Sequence, residues 1–407
     1  MKKNIVNLLL TFAIVNVVCI NAFAQRTLPS EPNSPWSMER LSQTPDFEIV
    51  SDDEGVKGII YKSVDYRGES KEVFAYYATP GSISGDASKD KNLPAVVCVH
   101  GGGGRAFDQW VKIWAERGYA AISMDLRGYG KDRVLLPKGF QEGPEQITPN
   151  FVANDDQTED WFYQAVSDVV LAHSLIRSFP EVDSSKTAIT GISWGGIMTT
   201  LVTGLDPRFK ASVPVYGCGY LYMGGSMGPR IENNTELAHE RWYEQYDPAL
   251  YMKDAKIPVL FVNGTNDAHF YIDQWTRTTE LVSEKQYSMR YRMVHGHYEG
   301  WAPKEIYTFI DNVLDVNAYV ATPEFKKLKF KKNTLSCKIQ NLREDDKVSI
   351  IYTNDSLLNK DSKWEREYIS FMHKDNSVNF KVNEDCKVCY ISVETKDFGH
   401  FSSKIFF

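Results

Sequence analysis

The chain has 407 residues, a formal net charge of −7 and only 6 cysteines, with 43% of residues hydrophobic and 24% charged. That length supports a large buried core and at least one further small domain. An acidic chain is a poor partner for nucleic acid or for anionic membrane surfaces, and neither is expected.

Residues 1–24 read as a processing segment. Lys2 and Lys3 are followed by an apolar run from Ile5 to Ile20, interrupted by Asn7 and Asn16, and then by Ala22-Phe23-Ala24. This is the basic, apolar, small-residue order of a signal peptide, with cleavage expected after Ala24 and a secreted or periplasmic product. The run falls short of the ~20 apolar residues that span a bilayer. Residues 25–56 are expected to form an N-terminal arm, rich in Pro and Ser in its first part.

Strand-like runs follow at Lys57–Tyr61 and Val73–Tyr77. Apolar, β-branched strands then alternate with helical patterns up to residue 320. The strands are Ala95–Val99, Ala120–Met124, Thr187–Ile192, Ala211–Val215, Val259–Asn263 and Met289–Val294. Helices are expected at 107–117, 160–178, 195–204, 271–284 and 303–315. Such alternation predicts an α/β fold with a mostly parallel central sheet flanked by helices. His173, on the apolar face of the second helix, reads as a core or subunit-contact residue. Two stretches break the pattern, 131–159 and 217–247. The second carries Tyr220, Tyr222, Trp242 and Tyr243 among glycines and reads as a lid-like insertion.

The motifs that carry chemistry lie at strand ends. The first strand runs into His100-Gly101-Gly102-Gly103-Gly104, a glycine loop able to bring a backbone N–H of Gly101 or Gly102 against a developing oxyanion. Gly191-Ile192-Ser193-Trp194-Gly195 sits between a strand and a helix, the context of a nucleophile elbow. Ser193 is then a candidate nucleophile and the Trp194 N–H a second oxyanion donor, each donor worth about 3–4 kcal/mol of transition-state stabilisation. Asp267 follows the Val259 strand in Gly264-Thr265-Asn266-Asp267, placed to orient a catalytic imidazole; Asp273 is the weaker alternative. Two histidines compete for the base in His295-Gly296-His297. His297, out in the loop behind a glycine, is preferred, with His295 supporting the loop or contacting substrate. His100, Arg105, Tyr220 and Trp301 are further candidates for substrate contact. The His-Gly-His pair lacks a Cys or carboxylate ligand cluster at a recognised spacing, so neither metal nor cofactor is expected.

These segments, together with Met124-Asp125-Leu126-Arg127-Gly128-Tyr129-Gly130, resemble the α/β-hydrolase superfamily. More narrowly they resemble its acetyl-xylan-esterase, dienelactone-hydrolase and prolyl-oligopeptidase-like branch. The chain order Ser193, Asp267, His297 is the order of that superfamily. The resemblance implies a secreted serine esterase that removes acetyl groups from a plant or algal polysaccharide or its oligosaccharides. The alternatives are a serine peptidase of the prolyl-oligopeptidase type and a non-catalytic carbohydrate-binding protein with a hydrolase fold. Only about 70 residues precede the first core strands, too few for the large propeller of the peptidases. A Ser at 193 departs from the Cys nucleophile of dienelactone hydrolases.

From residue 321 the helical patterning stops. Short alternating segments such as Lys347–Tyr352 and Val388–Val393 are separated by polar turns, and the segment carries a small positive excess. This predicts a small β-sandwich-like accessory domain over 321–407. Cys337, Cys386 and Cys389 lie in it, and one disulfide is expected there if the chain is exported.

Overall fold

The computed structural model describes residues 28–140, 151, 153–296, 299–369 and 376–407. The segment expected to be a signal peptide lies outside them. Among the described residues no helix is long and apolar enough to cross a membrane.

Sixteen strands build the described fold, thirteen of them in one sheet. The centre of that sheet is six parallel strands in the order β5 (Ala120–Met124), β4 (Leu93–Val99), β6 (Val182–Ile192), β7 (Ala211–Val215), β8 (Val259–Gly264) and β9 (Lys285–Arg290). β4, β5, β7 and β8 are buried at every position. Their unbroken apolar runs are what a sheet covered on both faces requires. Helix α1 (Asp108–Glu116) links β4 to β5, α2 (Trp161–Ile176) leads into β6, and α3 (Trp194–Leu205) links β6 to β7. Helix α4 (Ile272–Glu280) links β8 to β9, and α5 (Lys304–Leu314) follows β9. On one face α2 packs on α3. On the other, Asp311 of α5 accepts hydrogen bonds from Arg117 at 2.6 Å and Tyr119 at 2.7 Å, beside the end of α1.

The expected arm is partly strand. β1 (Phe47–Asp53) pairs antiparallel with β2 (Val56–Tyr66), and β2 with β3 (Glu69–Ala78), which joins β5. A buried ion pair fastens α2 to these strands. Lys71 Nζ lies 2.7 Å from Asp168 Oδ2, and Ser63 donates to the other carboxylate oxygen. Burial pushes the Lys71 ammonium down and the Asp168 carboxyl up from their usual ranges, so each charge depends on the other.

The segment after 320 is built of β-strands, as expected, and splits between two sheets. β10 (Glu324–Lys331), β11 (Thr334–Gln340) and β14 (Ser377–Lys381) form a small sheet of their own. β12 (Lys347–Thr353), β13 (Glu365–Tyr368), β15 (Val388–Thr395) and β16 (Gly399–Ser402) instead extend the central sheet, through β16 against β9. The alternation along β15 explains why. Cys389 and Ile391 pack with the small sheet, while Val388 and Tyr390 join the main core. Both faces of the strand are covered, and both are apolar. Cys337, Cys386 and Cys389 are free thiols, so the expected disulfide is not formed.

Asp168→Ala leaves the Lys71 ammonium buried and unpaired. It is expected to lower stability by about 3–5 kcal/mol, while Lys71→Met combined with Asp168→Leu costs far less. Urea unfolding of the three proteins checks this.

Candidate active site

The carboxyl ends of β6, β7, β8 and β9 lie side by side and carry Ser193, Tyr216, Asp267 and His295 in that order. Ser193 has φ 59° and ψ −118°, a conformation costing a non-glycine residue of order 1–3 kcal/mol. Its neighbours hold it there. The Ser193 N–H donates to Val215 O at 3.0 Å, and its carbonyl accepts from Ile197 N at 2.9 Å. A Cβ on Gly195 would sit 2.1 Å from the Val99 carbonyl oxygen, and one on Gly191 would sit 2.4 Å from Gly195 O. The turn therefore nests against the end of β4 at a distance only glycine allows.

Asp267 is 3% exposed. One carboxylate oxygen accepts the backbone N–H groups of His269 (2.7 Å) and Phe270 (2.8 Å). The other accepts from His295 Nδ1 at 2.9 Å. With a carboxylate opposite it, Nδ1 carries the hydrogen, and in the neutral ring Nε2 is then the basic nitrogen. The His295 ring packs on Tyr216, with centroids 4.6 Å apart, and on His269 at 4.7 Å. His297, preferred from sequence as the base, lies outside the described residues. The imidazole engaged by Asp267 is His295, which the sequence had put in a supporting place.

His100 is buried against the backbone of its own loop and of Leu126. It is 1% exposed, accepts from the Leu126 N–H on Nε2 at 3.0 Å, and donates from Nδ1 to Gly101 O at 2.6 Å. These two bonds fix its neutral tautomer. They also fix the loop. With Gly101 O tied to the imidazole, the Gly102 N–H of the same trans peptide points the opposite way. A Cβ on Gly102 would lie 2.5 Å from Trp194 Cδ1, so the glycine loop rests on the indole. The Trp194 side chain is buried among Phe151 and Trp161.

Trp301 is likewise core. It is 6% exposed and packs on Phe107 and Trp110, each with centroids 5.0 Å away. Arg105 lines a cavity of about 270 Å³ with Tyr76, Asp125 and Lys131, whose lining does not include Ser193. Tyr220 is half-buried in the insertion. Its N–H donates to Asp247 at 2.8 Å and its carbonyl accepts from Gln274 at 3.0 Å. Burial raises the Asp247 carboxyl to about 6 against three backbone N–H donors. The insertion is also pinned to α2, since Asp160 accepts from Arg241 and from the Tyr246 hydroxyl at 2.7 Å.

Two features escaped the sequence reading. Asn266, next to Asp267, donates to Lys360 O (3.0 Å) and Ser362 O (2.9 Å), so the C-terminal segment braces the acid loop. Arg292 N donates to Thr265 Oγ1 at 2.8 Å, tying the histidine loop to the acid loop. Contacts this distant in sequence leave no local pattern. Among the described residues no group of three or more His, Cys, Asp or Glu side chains is arranged to hold a metal ion.

A six-stranded parallel sheet entered by antiparallel strands, with a serine on a strained strand-to-helix turn and an Asp–His pair two and three strands on, defines the α/β-hydrolase class. The chain is a member of that superfamily. Within it, the acetyl xylan esterase (AXE1) family matches residues 37–222 and the prolyl oligopeptidase family matches residues 154–320. Among curated proteins the chain is 25% identical over 207 residues to acetyl esterase Axe7A of Xylanibacter ruminicola. It is 24% identical over 214 residues to the uncharacterized peptidase YuxL of Bacillus subtilis. These matches take in 46% and 48% of this chain but only 46% and 28% of the relatives' lengths. The fold is similar to that of acetyl xylan esterase 1 from a Thermoanaerobacterium species, with TM-score 0.54, 17% identity and coverage of 73% of this chain and 98% of the other. It is also similar to that of the acetyl xylan esterase from a Paenibacillus species, with TM-score 0.51, 19% identity and coverage of 69% and 96%.

The glycine contacts differ in kind. Gly195→Ala drives a Cβ into backbone and is expected to destabilise the protein by about 2–3 kcal/mol; Gly102→Ala meets only the edge of a side chain and costs less. Chemical denaturation of both variants tests the ranking.

Proposed function

We propose that the protein is a serine carboxylic-ester hydrolase acting on acylated carbohydrate. The observation that carries this is the Asp267–His295 hydrogen bond at the same sheet edge as the strained Ser193 turn. In this reaction His295 Nε2 takes the Ser193 proton as Oγ attacks the ester carbonyl, and Asp267 holds the imidazole tautomer and stabilises the imidazolium. The N–H groups of Trp194 and Gly102 hold the oxyanion. The alcohol leaves with the proton from His295. Water, deprotonated by His295, then attacks the acyl-enzyme and releases the acid. The AXE1 match supports acetyl as the acyl group and a polysaccharide fragment as the alcohol. The segment 1–24 supports export, and the segment after 320 acts as an accessory domain whose loop between β12 and β13 braces the acid loop.

The prolyl oligopeptidase match at 154–320 favours a second reading, amide hydrolysis by the same groups. Acetate release from 4-nitrophenyl acetate and acetylated xylan, set beside release of 4-nitroaniline from aminoacyl anilides, separates the two. Ester hydrolysis is expected, falling about a thousandfold or more in Ser193→Ala and in His295→Ala. Full activity in Ser193→Ala overturns the proposal, and turnover of anilides alone favours the peptidase.

A further inference from the structure

A second cavity, of about 580 Å³, lies where the end of β9, the start of α5 and the C-terminal strands β15 and β16 meet. Five cationic side chains line it: Arg290, Arg292, Lys304, Arg366 and Lys396. Two carboxylates oppose them. Glu305 takes Arg290 at 2.6 Å, and Glu394 takes Arg366 at 2.9 Å. The lining keeps an excess of positive charge in a chain whose net charge is −7. Like charges gathered in one cavity repel, and an anion between them relieves that repulsion.

Two further observations point the same way. Both Arg292 and Arg366 lie over the Tyr291 ring, at 5.1 and 4.2 Å from its centroid. Stacked guanidiniums are pre-organised and weakly hydrated, the state that suits a bidentate grip on a carboxylate or sulfate. The first turn of α5 opens into the cavity with no side-chain cap on it, which adds the positive end of a helix dipole.

The cavity is coupled to the candidate active site by short covalent paths. Arg292 stands three residues before His295 and is bonded to Thr265, two residues before Asp267. By strand spacing, the end of β9 lies about 15 Å from the end of β6, a span of two to three sugar rings. Arg366 and Lys396 come from the C-terminal segment and the other cations from the hydrolase sheet and α5, so the cavity exists only when both parts are joined.

We propose that this cavity is a binding subsite for an acidic sugar, one bearing a carboxylate or a sulfate ester. It would hold a charged residue of the carbohydrate whose acyl ester lies at Ser193, so the substrate class deepens the esterase assignment and rests on it. The C-terminal segment thereby acquires a role in recognition besides bracing the acid loop.

The test is binding to the full chain carrying Ser193→Ala, which needs no turnover. Sodium glucuronate, inorganic sulfate and glucose are titrated by calorimetry or ligand-observed NMR. Saturable binding of glucuronate, weakened by added salt, is expected, with none for glucose. Arg292→Gln combined with Lys396→Gln, both exposed positions, is expected to weaken it at least tenfold with an unchanged melting temperature. If that double variant does not fold, Lys396→Glu alone serves the same purpose. Binding of glucuronate but not sulfate assigns a sugar carboxylate, and binding of both assigns either acidic group. No saturable binding of either anion, or binding undiminished in a folded charge variant, overturns the proposal. A protein without esterase activity that still binds glucuronate would sink the ester assignment and leave the subsite standing.

Discussion

Everything at the candidate site depends on one close approach, the seating of the Ser193 turn against the carboxyl ends of β4 and β7. A serine at φ 59° is not a conformation that a short peptide holds. It persists because the Gly195 Cα lies where a side chain would strike the Val99 carbonyl, and because the Ser193 N–H is satisfied by Val215. The same contact lays the glycine loop on the Trp194 indole. Removing a methyl group's worth of space at two positions thus sets the nucleophile, the next helix and the loop opposite in one frame.

The second organising fact is that neighbouring parallel strands end in neighbouring functional residues. β6, β7, β8 and β9 follow one another across the sheet, and each contributes one side chain at its carboxyl end. No long-range construction is needed, because strand order alone gathers Ser193, Tyr216, Asp267 and His295. What varies is bracing. The acid loop leans on the C-terminal segment through Asn266, and the histidine loop leans on the acid loop through Arg292. Of the C-terminal strands, β12, β13, β15 and β16 continue the same sheet, and the loop between β12 and β13 supports the same site.

The fold was legible where the chain carries period and punctuation. Buried strands at Ala95, Ala120, Ala211 and Val259 announced themselves as continuous apolar runs, and the five helices by their spacing. The last parallel strand was harder. It runs from Lys285 to Arg290, earlier than the apolar pattern suggested, because Arg292 turns the chain with φ 54° before the apolar Met293 and Val294. The union of β9 with β16 spans more than a hundred residues and leaves no local trace. At the site, Ser193 and Asp267 stood out by their strand-end context. His295 and His297 differ by one glycine, and only the reach of Asp267 separates them. Trp301 and His100 read as cleft residues because aromatic and imidazole side chains beside glycine do not reveal, by sequence, which way they point.

The central claim is that Ser193 is an activated nucleophile with His295 as its base. The most direct measurement is the rate of labelling by a fluorophosphonate, with the adduct located by peptide mass mapping in the wild type, His295→Ala and His297→Ala. A single adduct on Ser193, formed at least about a hundredfold more slowly in His295→Ala and near the wild-type rate in His297→Ala, is the predicted result. Labelling at another residue, no labelling, or a loss of rate in His297→Ala instead would contradict it.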